Sequence, residues 1–370
     1  GRWIDTVEFP ADRSRFGSFD ELDVLSRDRL KAIIDEIAAS NPASGSDEAR
    51  IAAVYKAFMD TDAIEAAGMA PAQPVLQRIW AAQSREDLVA LFAEPGLPSP
   101  LRADVDTDAK QSDRYLLGIS QAGLGLPDRD YYLKDTPRNR EIRAKYAEYL
   151  AFLLGKAGYA DPGAAAQSVL ALETGLAAAQ WERALLRMRE LTYNKMALDE
   201  ARALPHGDIL ARFATLLSEG KAAEIDVAQI APTPEEIAAA QVPADVIARQ
   251  GGGVPQTLRL IAEAPMATWQ AWMAARFLDA HAGVLPRDID DAAFAFNNRF
   301  LRGVPEQAPR WKRGIAAVEA QVGELLGKIY VARHFPPASK AAMDQLVGNL
   351  RKAMAANMAN LSCVIQETPV

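Results

Sequence analysis

The sequence predicts an all-α protein, a multi-helix lobe with one minor β-hairpin around residues 101–126, and three observations carry that expectation. Alanine is abundant, aromatic residues make up only 7% of the chain, and apolar residues recur mostly at three and four positions, the spacing of one helix face. A chain of 370 residues that is 49% hydrophobic can bury a large core, and helices packed on helices are the architecture this balance favours.

The elements follow in order. Residues 1–25, with Pro10, Gly17 and mixed polar and apolar positions, are expected to form an extended arm leading into a first helix. From Asp28 the positions Leu30, Ile33, Ile34 and Ile37 keep the helical period. Residues 41–46 break it, a second helix covers 47–60, and 75–93 holds two short ones. Between 101 and 126 the period changes, and Tyr115-Leu116-Leu117-Gly118-Ile119 reads as part of the one strand pair. The string Gly123-Leu-Gly-Leu-Pro-Asp-Arg-Asp-Tyr-Tyr-Leu133 comes next. In it Gly125 and Pro127 punctuate a turn, and Asp128 and Asp130 can bond nearby backbone amides. Its tyrosines and charges are expected to lock that turn and not to touch a ligand.

Pro137 suits the first turn of a helix that buries Ile142, Tyr146, Tyr149, Leu150 and Leu153 and ends near Gly158. Further helices are expected at 162–189, 198–204, 207–219, 234–240, 257–263, 268–279 and 287–302. Residues 309–330 place Ile315, Val318, Val322, Leu325 and Ile329 on one stripe. Ser339 then caps a final helix with Met343, Leu346, Val347, Leu350, Met354 and Met358 turned inward. No internal repeat or low-complexity linker divides the chain, so it reads as an arm, 1–25, and a helical lobe, 26–370, with atypical last residues.

A net charge of −8 argues against a nucleic-acid binder, which usually carries a basic face. No run approaches the roughly 20 apolar residues that span a bilayer, so no membrane segment is expected in this chain. The single cysteine, Cys363, rules out an internal disulfide and any cysteine-based zinc site. Gly1-Arg2-Trp3-Ile4 opens without an initiator methionine, as expected of a sequence cut at its start, and a leader could have been removed with the cut.

Candidate chemistry is sparse. His206, His281 and His334 lie far apart, and none has a helical partner three or four residues away, so they read as surface or loop residues and not metal ligands. No His-Glu-x-x-His and no Gly-x-Ser-x-Gly string occurs, and Cys363 has no histidine beside it to activate it. Asp104-Val-Asp106-Thr-Asp108 has the alternate oxygens of a calcium loop, but Ala109 stands in the place of its glycine and Tyr115 in the place of its closing glutamate. A solvated face of an edge strand is expected there. Gly251-Gly252-Gly253 lacks the flanking strand and Lys-Ser/Thr of a phosphate loop and reads as a flexible loop. Arg310-Trp311-Lys312-Arg313 is expected to anchor its helix by stacking and pairing. Arg15 and Asp20 flank Phe16-Gly-Ser-Phe19. An arginine fork oriented by a carboxylate can hold a peptide's terminal carboxylate, and an ordinary surface ion pair is the other reading.

Taken in order, several motifs form a collinear series. They are Gly1-x-Trp3, Pro10-x-Asp12-Arg13, Gly17-x-Phe19-x-x-Leu22, Phe58-Met-Asp60 with Ile64 and Gly68, and the Gly123–Leu133 string. Trp181, Thr192-Tyr-Asn-Lys-Met196, Gly303-Val-Pro-Glu-Gln307, Pro309-Arg-Trp-Lys-Arg313, Leu326-Gly-Lys-Ile-Tyr-Val331 and Phe335 with Ser339-Lys340 complete it. The series spans the chain and resembles the N-terminal region of the neprilysin-like zinc metallopeptidases.

The resemblance implies a mostly helical lobe that faces a thermolysin-like catalytic lobe of the same enzyme, the two enclosing a chamber that admits short peptides and excludes folded proteins. It implies zinc for the complete enzyme and none in this chain, because the family's His-Glu-x-x-His helix, its downstream glutamate and its Asn-Ala segment are absent here. This chain alone is therefore expected to be inactive. Relatives work in the periplasm, in secreted form or on the outer face of a membrane. Arg15 and Asp20 match an arginine and an aspartate with which the family engages the substrate's C-terminal carboxylate, while Asp23 stands where a second arginine is usual. The chain also departs from the family at Arg187-Met188, at Ile209, and at Leu361-Ser-Cys363-Val364 with Thr368-Pro369, which is expected of a non-native tail or an interrupted gene. The competing expectation is a stand-alone helical protein that binds peptides or a partner without catalysis.

Overall fold

A computed structural model of the chain describes residues 6–243, 246–247 and 250–359. Gly1-x-Trp3, Cys363 and the atypical tail lie outside the described residues. The described chain is mainly helical with a small sheet, in keeping with its alanine-rich, aromatic-poor composition.

Helix ends follow local chemistry more closely than apolar period. The first long helix is Ser18–Ala39, beginning well before the apolar stripe at Leu30, because the Asp20 carboxylate accepts the Gly17 amide at 2.8 Å and Asp20 and Glu21 place negative charge at the helix N-terminus. Ser46 caps Asp47–Met59, Ser84 caps Arg85–Phe92, Thr136 caps Pro137–Lys156 and Asp161 caps Pro162–Ala179, each through a side-chain oxygen.

Two expected helices are interrupted. The stretch 162–189 stops at Ala179, where Gln180 turns extended and its side-chain amide donates to the Ala122 carbonyl at 2.7 Å; the Trp181 amide donates to the Gln121 side chain at 2.8 Å. A 3₁₀ turn, Leu185–Arg187, and a short helix, Arg189–Thr192, follow. The stretch 287–302 is α-helical only over Arg287–Ala293 and widens to a π-helix at Phe294–Phe300. The wider turn lets Phe296 stack on Tyr146 and Tyr149, with ring centroids 5.5 and 5.2 Å away.

The expected hairpin is present and belongs to a larger sheet. Strand β1, Leu101–Asp108, pairs antiparallel with β2, Gln111–Gln121. Two strands too short to show a period, β3 at Lys195–Ala197 and β4 at Glu224–Val227, extend the sheet to the order β1-β2-β4-β3. Strand β4 runs parallel to β2 and antiparallel to β3. The Asp104–Asp108 segment is the edge strand expected, but Asp108 is buried and not solvated, because it accepts hydrogen bonds from Tyr193 and Lys195. The triple glycine is likewise packed and not a free loop. A Cβ at Gly251 would lie 2.1 Å from the Ala179 carbonyl oxygen, one at Gly253 would lie 2.2 Å from that of Gln229, and Gly253 has a φ of +66°.

The chain divides into two compact units, Gly1–Asp62 with Val304–Val370, and Ala63–Gly303. In the first, Leu30, Ile33, Ile34 and Ile37 meet Ile51, Ala52 and Tyr55 and, from the Arg310–His334 helix, Ile315, Val318 and Leu326. Gly314 permits the close approach, since a Cβ there would lie 2.9 Å from the Tyr55 ring. Arg310 donates to the Phe58 carbonyl and stacks on the Phe58 ring 4.0 Å from its centroid, and Lys312 pairs with Asp12 at 2.6 Å, so the basic motif anchors the helix. In the second unit, Pro137–Lys156, Pro162–Ala179 and Met266–His281 form the centre of one large core, which includes Trp269 and Trp272 packed edge-on to Phe92.

The last described helix departs from expectation. It starts at Pro337, a favoured first-turn proline, and its Met343, Leu346, Val347, Leu350, Met354 and Met358 are exposed where the sequence reading turned them inward. No helix among the described residues is long and apolar enough to cross a membrane.

Truncation of Ile315, which is fully buried between the two N-terminal helices, is expected to cost about 2–5 kcal/mol. Urea denaturation of I315A against the parent chain measures it, with the far-UV spectrum confirming that the native fold is retained in buffer.

Candidate functional site

The Gly123–Leu133 string is built around a buried carboxylate. Glu173, the one charged residue of the alanine- and leucine-rich Pro162–Ala179 helix, is 0% exposed. It accepts hydrogen bonds from the Tyr132 hydroxyl at 2.7 Å, the Tyr146 hydroxyl at 3.1 Å and the Trp272 indole at 3.0 Å. The Tyr132 hydroxyl in turn accepts the Gly125 and Leu126 amides at 3.1 and 2.8 Å. With those amides on its lone pairs, Tyr132 must direct its proton to Glu173. The string is thereby clamped from backbone to core.

Its composition follows from that clamp. A Cβ on Gly125 would fall 1.8 Å from the Tyr146 hydroxyl, so only glycine fits. Gly123 has a φ of +91° and lies against Pro100. The Asp128 carboxylate accepts the Asp130 amide at 3.0 Å, an Asx turn that opens the Asp130–Leu133 helix. Asp130 itself pairs with Lys134 at 2.6 Å. Arg143 collects the carbonyls of Tyr131, Tyr132 and Lys134 at the end of that helix.

Burial pushes the Glu173 carboxyl above its ordinary range, against the pull of Arg276 and the three donors. A second carboxylate stands nearby in the same network. Asp279 accepts from the Tyr149 hydroxyl at 2.7 Å, the Asn297 side chain at 2.8 Å and Arg276 at 2.9 Å.

The clamped turn forms the lip of a cleft of about 820 Å³, lined by Asp128, Arg129, Asp130, Tyr131 and Lys134 on one wall and Glu182, Arg183 and Ala184 on the other. A smaller hollow of about 310 Å³ shares Pro127, Asp128, Arg129 and Arg183 with it and reaches Gly123 and Trp181. Arg183 pairs with Asp128 across the cleft at 3.3 Å. The Gln180 and Trp181 hydrogen bonds to the end of β2 hold the second wall in place.

The sequence-selected pair lies in the first unit and is not brought together there. Arg15 is exposed, whereas Asp20 bonds the Gly17 amide and pairs with Arg13 at 3.0 Å. Asp23 pairs with Arg13 and Arg27, whose hydrogen bonds hold its carboxyl below the ordinary range against partial burial. The guanidinium that Asp20 orients is therefore that of Arg13.

The described residues do not fit a zinc ion. The Nδ1 of His281 lies 2.8 Å from the Phe277 carbonyl oxygen, His206 sits in the left-handed region before the Gly207–Leu217 helix, and His334 packs on Tyr330. Among the described residues no group of three or more histidine, cysteine or carboxylate side chains is placed to hold a metal.

Sequence reasoning passed over Glu173, Arg276 and Asp279. A signal was present for the first, a lone carboxylate in the middle of an alanine- and leucine-rich helix. For the other two the charge pattern is that of any helix surface.

The sequence profile of Peptidase family M13 matches residues 1–369. Human endothelin-converting enzyme 1 is 25% identical over 382 residues, an alignment that takes in 100% of this chain and 47% of that protein. A neutral endopeptidase of Lactococcus lactis subsp. cremoris is 23% identical over 370 residues, covering 99% of this chain and 56% of its own. The crystal structure of the Mycobacterium tuberculosis zinc metalloprotease Zmp1 in complex with an inhibitor superposes with a TM-score of 0.82 at 29% identity, covering 99% of this chain and 53% of that one. PepO from Lactobacillus rhamnosis has a TM-score of 0.75 at 16% identity, a likeness of fold. The chain spans about half the length of these relatives.

Two outcomes follow from the clamp. G125A is expected to lose about 1–3 kcal/mol or more, because the added methyl must displace the Tyr146 hydroxyl from Glu173; thermal denaturation reads it. A carboxyl raised on folding contributes its stability in full below the ordinary carboxylate range and loses it as pH rises through the elevated value. Urea midpoints from about pH 4 to about pH 8 are accordingly expected to favour the parent over E173Q most at the acid end, with a shrinking difference as pH rises. A difference independent of pH would show that Glu173 does not titrate in this way.

Proposed function

The chain belongs to Peptidase family M13, and from that membership we propose that it is the helical, substrate-gating part of a neprilysin-like zinc metalloendopeptidase that cleaves short peptides. The observation that carries the reading is the match of the family profile to residues 1–369 in a chain about half as long as its relatives. The chain also has the helical fold of the matching part of the Mycobacterium tuberculosis zinc metalloprotease Zmp1.

The division of labour follows from residue chemistry. Hydrolysis at zinc needs protein ligands and a general base around a bound water, and among the described residues no group of three or more histidine, cysteine or carboxylate side chains is placed to supply them. Zinc would be held by the remaining half of the protein, and the task of this half would be to bound the chamber and admit peptides of limited size. The Gly123–Leu133 lip suits a wall of that kind, because a turn anchored to a buried carboxylate keeps its shape without a ligand in place.

For Arg15 we propose the role that the family resemblance suggests, an electrostatic hold on the substrate's C-terminal carboxylate. It is exposed, and Asp20 and Asp23 occupy themselves with Arg13 and Arg27. Asp20 would act indirectly, fixing the start of the Ser18–Ala39 helix beside which Arg15 stands.

The whole protein encoded by the gene is expected to hydrolyse short fluorogenic peptides, to be blocked by a phosphoramidate mimic of the tetrahedral intermediate, and to spare folded proteins. The 370-residue chain alone is expected to cleave none of them. In the whole protein, R15A should raise KM severalfold for peptides with a free C-terminal carboxylate and leave KM unchanged for the same peptides with an amidated C-terminus. Peptide cleavage by the chain alone would refute the division of labour, and equal effects on both peptide series would refute the role of Arg15.

A further inference from the structure

Strand β1 is the end strand of its sheet and is open along its outer side. The Ala122 amide donates to the Pro100 carbonyl at 3.1 Å, which fixes the phase of the β1–β2 ladder. In an antiparallel pair, residues that exchange hydrogen bonds alternate with residues whose amides and carbonyls point away. The even positions of β1 therefore bond to β2, and the odd positions turn outward. Of these, the Leu101 amide donates to the Ser99 hydroxyl at 3.2 Å and the Thr107 amide to the Asp106 carboxylate at 2.7 Å. Ala103 and Val105 each present an amide and a carbonyl to the open edge, where Val105 is 70% exposed.

Beside this edge a row of residues lacks one side chain. Asp104 on β1, Gly118 on β2 and Asp226 on β4 stand in register across three strands, on one face of the sheet. With Asp106 and Leu116 they border a hollow of about 160 Å³, room for one long side chain. A glycine inside a strand marks a bulge, a bend or the close approach of another group. Gly118 lies in the regular part of the pairing and has no positive φ. A Cβ there would meet nothing nearer than the Asp104 carbonyl oxygen at 3.6 Å, an ordinary contact. The fold itself does not require glycine at this position. The gap it leaves is flanked by carboxylates: among the described residues Asp106 bonds only the Thr107 amide, and Asp226 accepts the Asn194 amide at 2.7 Å. Lys195, next in the row, is taken by Asp108 and Glu224. Arg102, paired with Asp104, and the exposed Arg189 offset part of the negative charge.

Main chain and recess together describe an occupant. An extended peptide added along Ala103 and Val105 would gain backbone hydrogen bonds there, and every second side chain would stand on the face that holds the hollow. The carboxylates select lysine or arginine at such a position. A second copy of the strand does not fit, because antiparallel pairing about Val105 sets Asp104 against Asp106, like charge against like. We propose that β1 is a docking edge for a short, extended, basic peptide. Backbone pairing at Ala103 and Val105 holds it, and its lysine or arginine side chain enters the gap over Gly118 between Asp104 and Asp226. Every residue of this edge and recess belongs to the unit Ala63–Gly303.

Fluorescence anisotropy with the whole protein tests it, a zinc chelator being present so that no probe is hydrolysed. Binding is read without turnover, and the outcome is independent of the peptidase reading. The probes are a labelled, end-blocked heptapeptide of threonine and valine with one central lysine, and its counterpart with glutamate in that place. The lysine peptide should bind at least about tenfold more tightly than the glutamate peptide, and less tightly as salt is raised. V105P removes an outward amide and spares the β2 ladder, a placement that an edge strand tolerates. It should weaken the lysine peptide about tenfold. D104N/D106N should erase the preference for lysine. G118V fills the gap with a good strand former, and should weaken the lysine peptide while holding or raising the Tm. Should V105P fail to fold, a lysine peptide N-methylated at alternate residues probes the same hydrogen bonds and should bind no better than the glutamate peptide. Equal binding of the two peptides would overturn the proposal, as would undiminished binding of the N-methylated one. Self-association of the protein that V105P abolishes, with neither peptide bound, would overturn it in favour of a second copy.

Discussion

The larger unit depends on one buried carboxylate. Glu173 is removed from water on a helix of alanine and leucine, and such a burial is unfavourable unless the charge or the proton is fully met by hydrogen bonds. Tyr132, Tyr146 and Trp272 meet it from three separate elements. The consequence is specificity of position: the turn at Gly125, the Pro137–Lys156 helix and the Met266–His281 helix are each tied to the same two oxygen atoms. A purely apolar contact would tolerate a small slip, whereas a hydrogen bond at 2.7 Å does not.

From that anchor the lip of the charged cleft follows. Tyr132 faces the core, Tyr131 faces the cleft, and the Asx turn at Asp128 places Arg129 and Asp130 on the cleft wall beside Tyr131. The π-helix at Phe294–Phe300 belongs to the same construction, since its extra width brings Phe296 onto the tyrosine rings and Asn297 onto Asp279. Rigid walls suit a part whose proposed work is to shape a chamber. The other unit offers different resources, an exposed Arg15, a web of Arg13, Asp20, Asp23 and Arg27, and an uncovered methionine-rich helix face.

Legibility in the sequence divided along the range of the interactions. The Ile33, Ile34 and Ile37 stripe, the Asp47–Met59 and Pro137–Lys156 helices and the hairpin at 101–121 were readable because period and capping are local. Strands Lys195–Ala197 and Glu224–Val227 were not, because three or four residues carry no period and owe their state to a neighbour far away in the chain. The collinear motifs identified the family without the structure, yet the partner of Asp20 could not be read from spacing, since Arg15 is nearer to it in sequence and only the backbone turn before Ser18 brings the more distant Arg13 to it.

The sequence by itself determined the helical class, the family, and the lack of a His-Glu-x-x-His zinc helix in this chain, because composition, ordered motifs and short-range spacing are written along one dimension. Tertiary structure alone decided which of those residues act together. It brought Glu173 to Tyr132 across 41 positions and to Trp272 across 99, buried Asp108 under Tyr193, and left Met343 to Met358 in water. The physical reason is the same in each case: whether a side chain is paired, buried or bare depends on what packs against it, and its chain neighbours do not specify that.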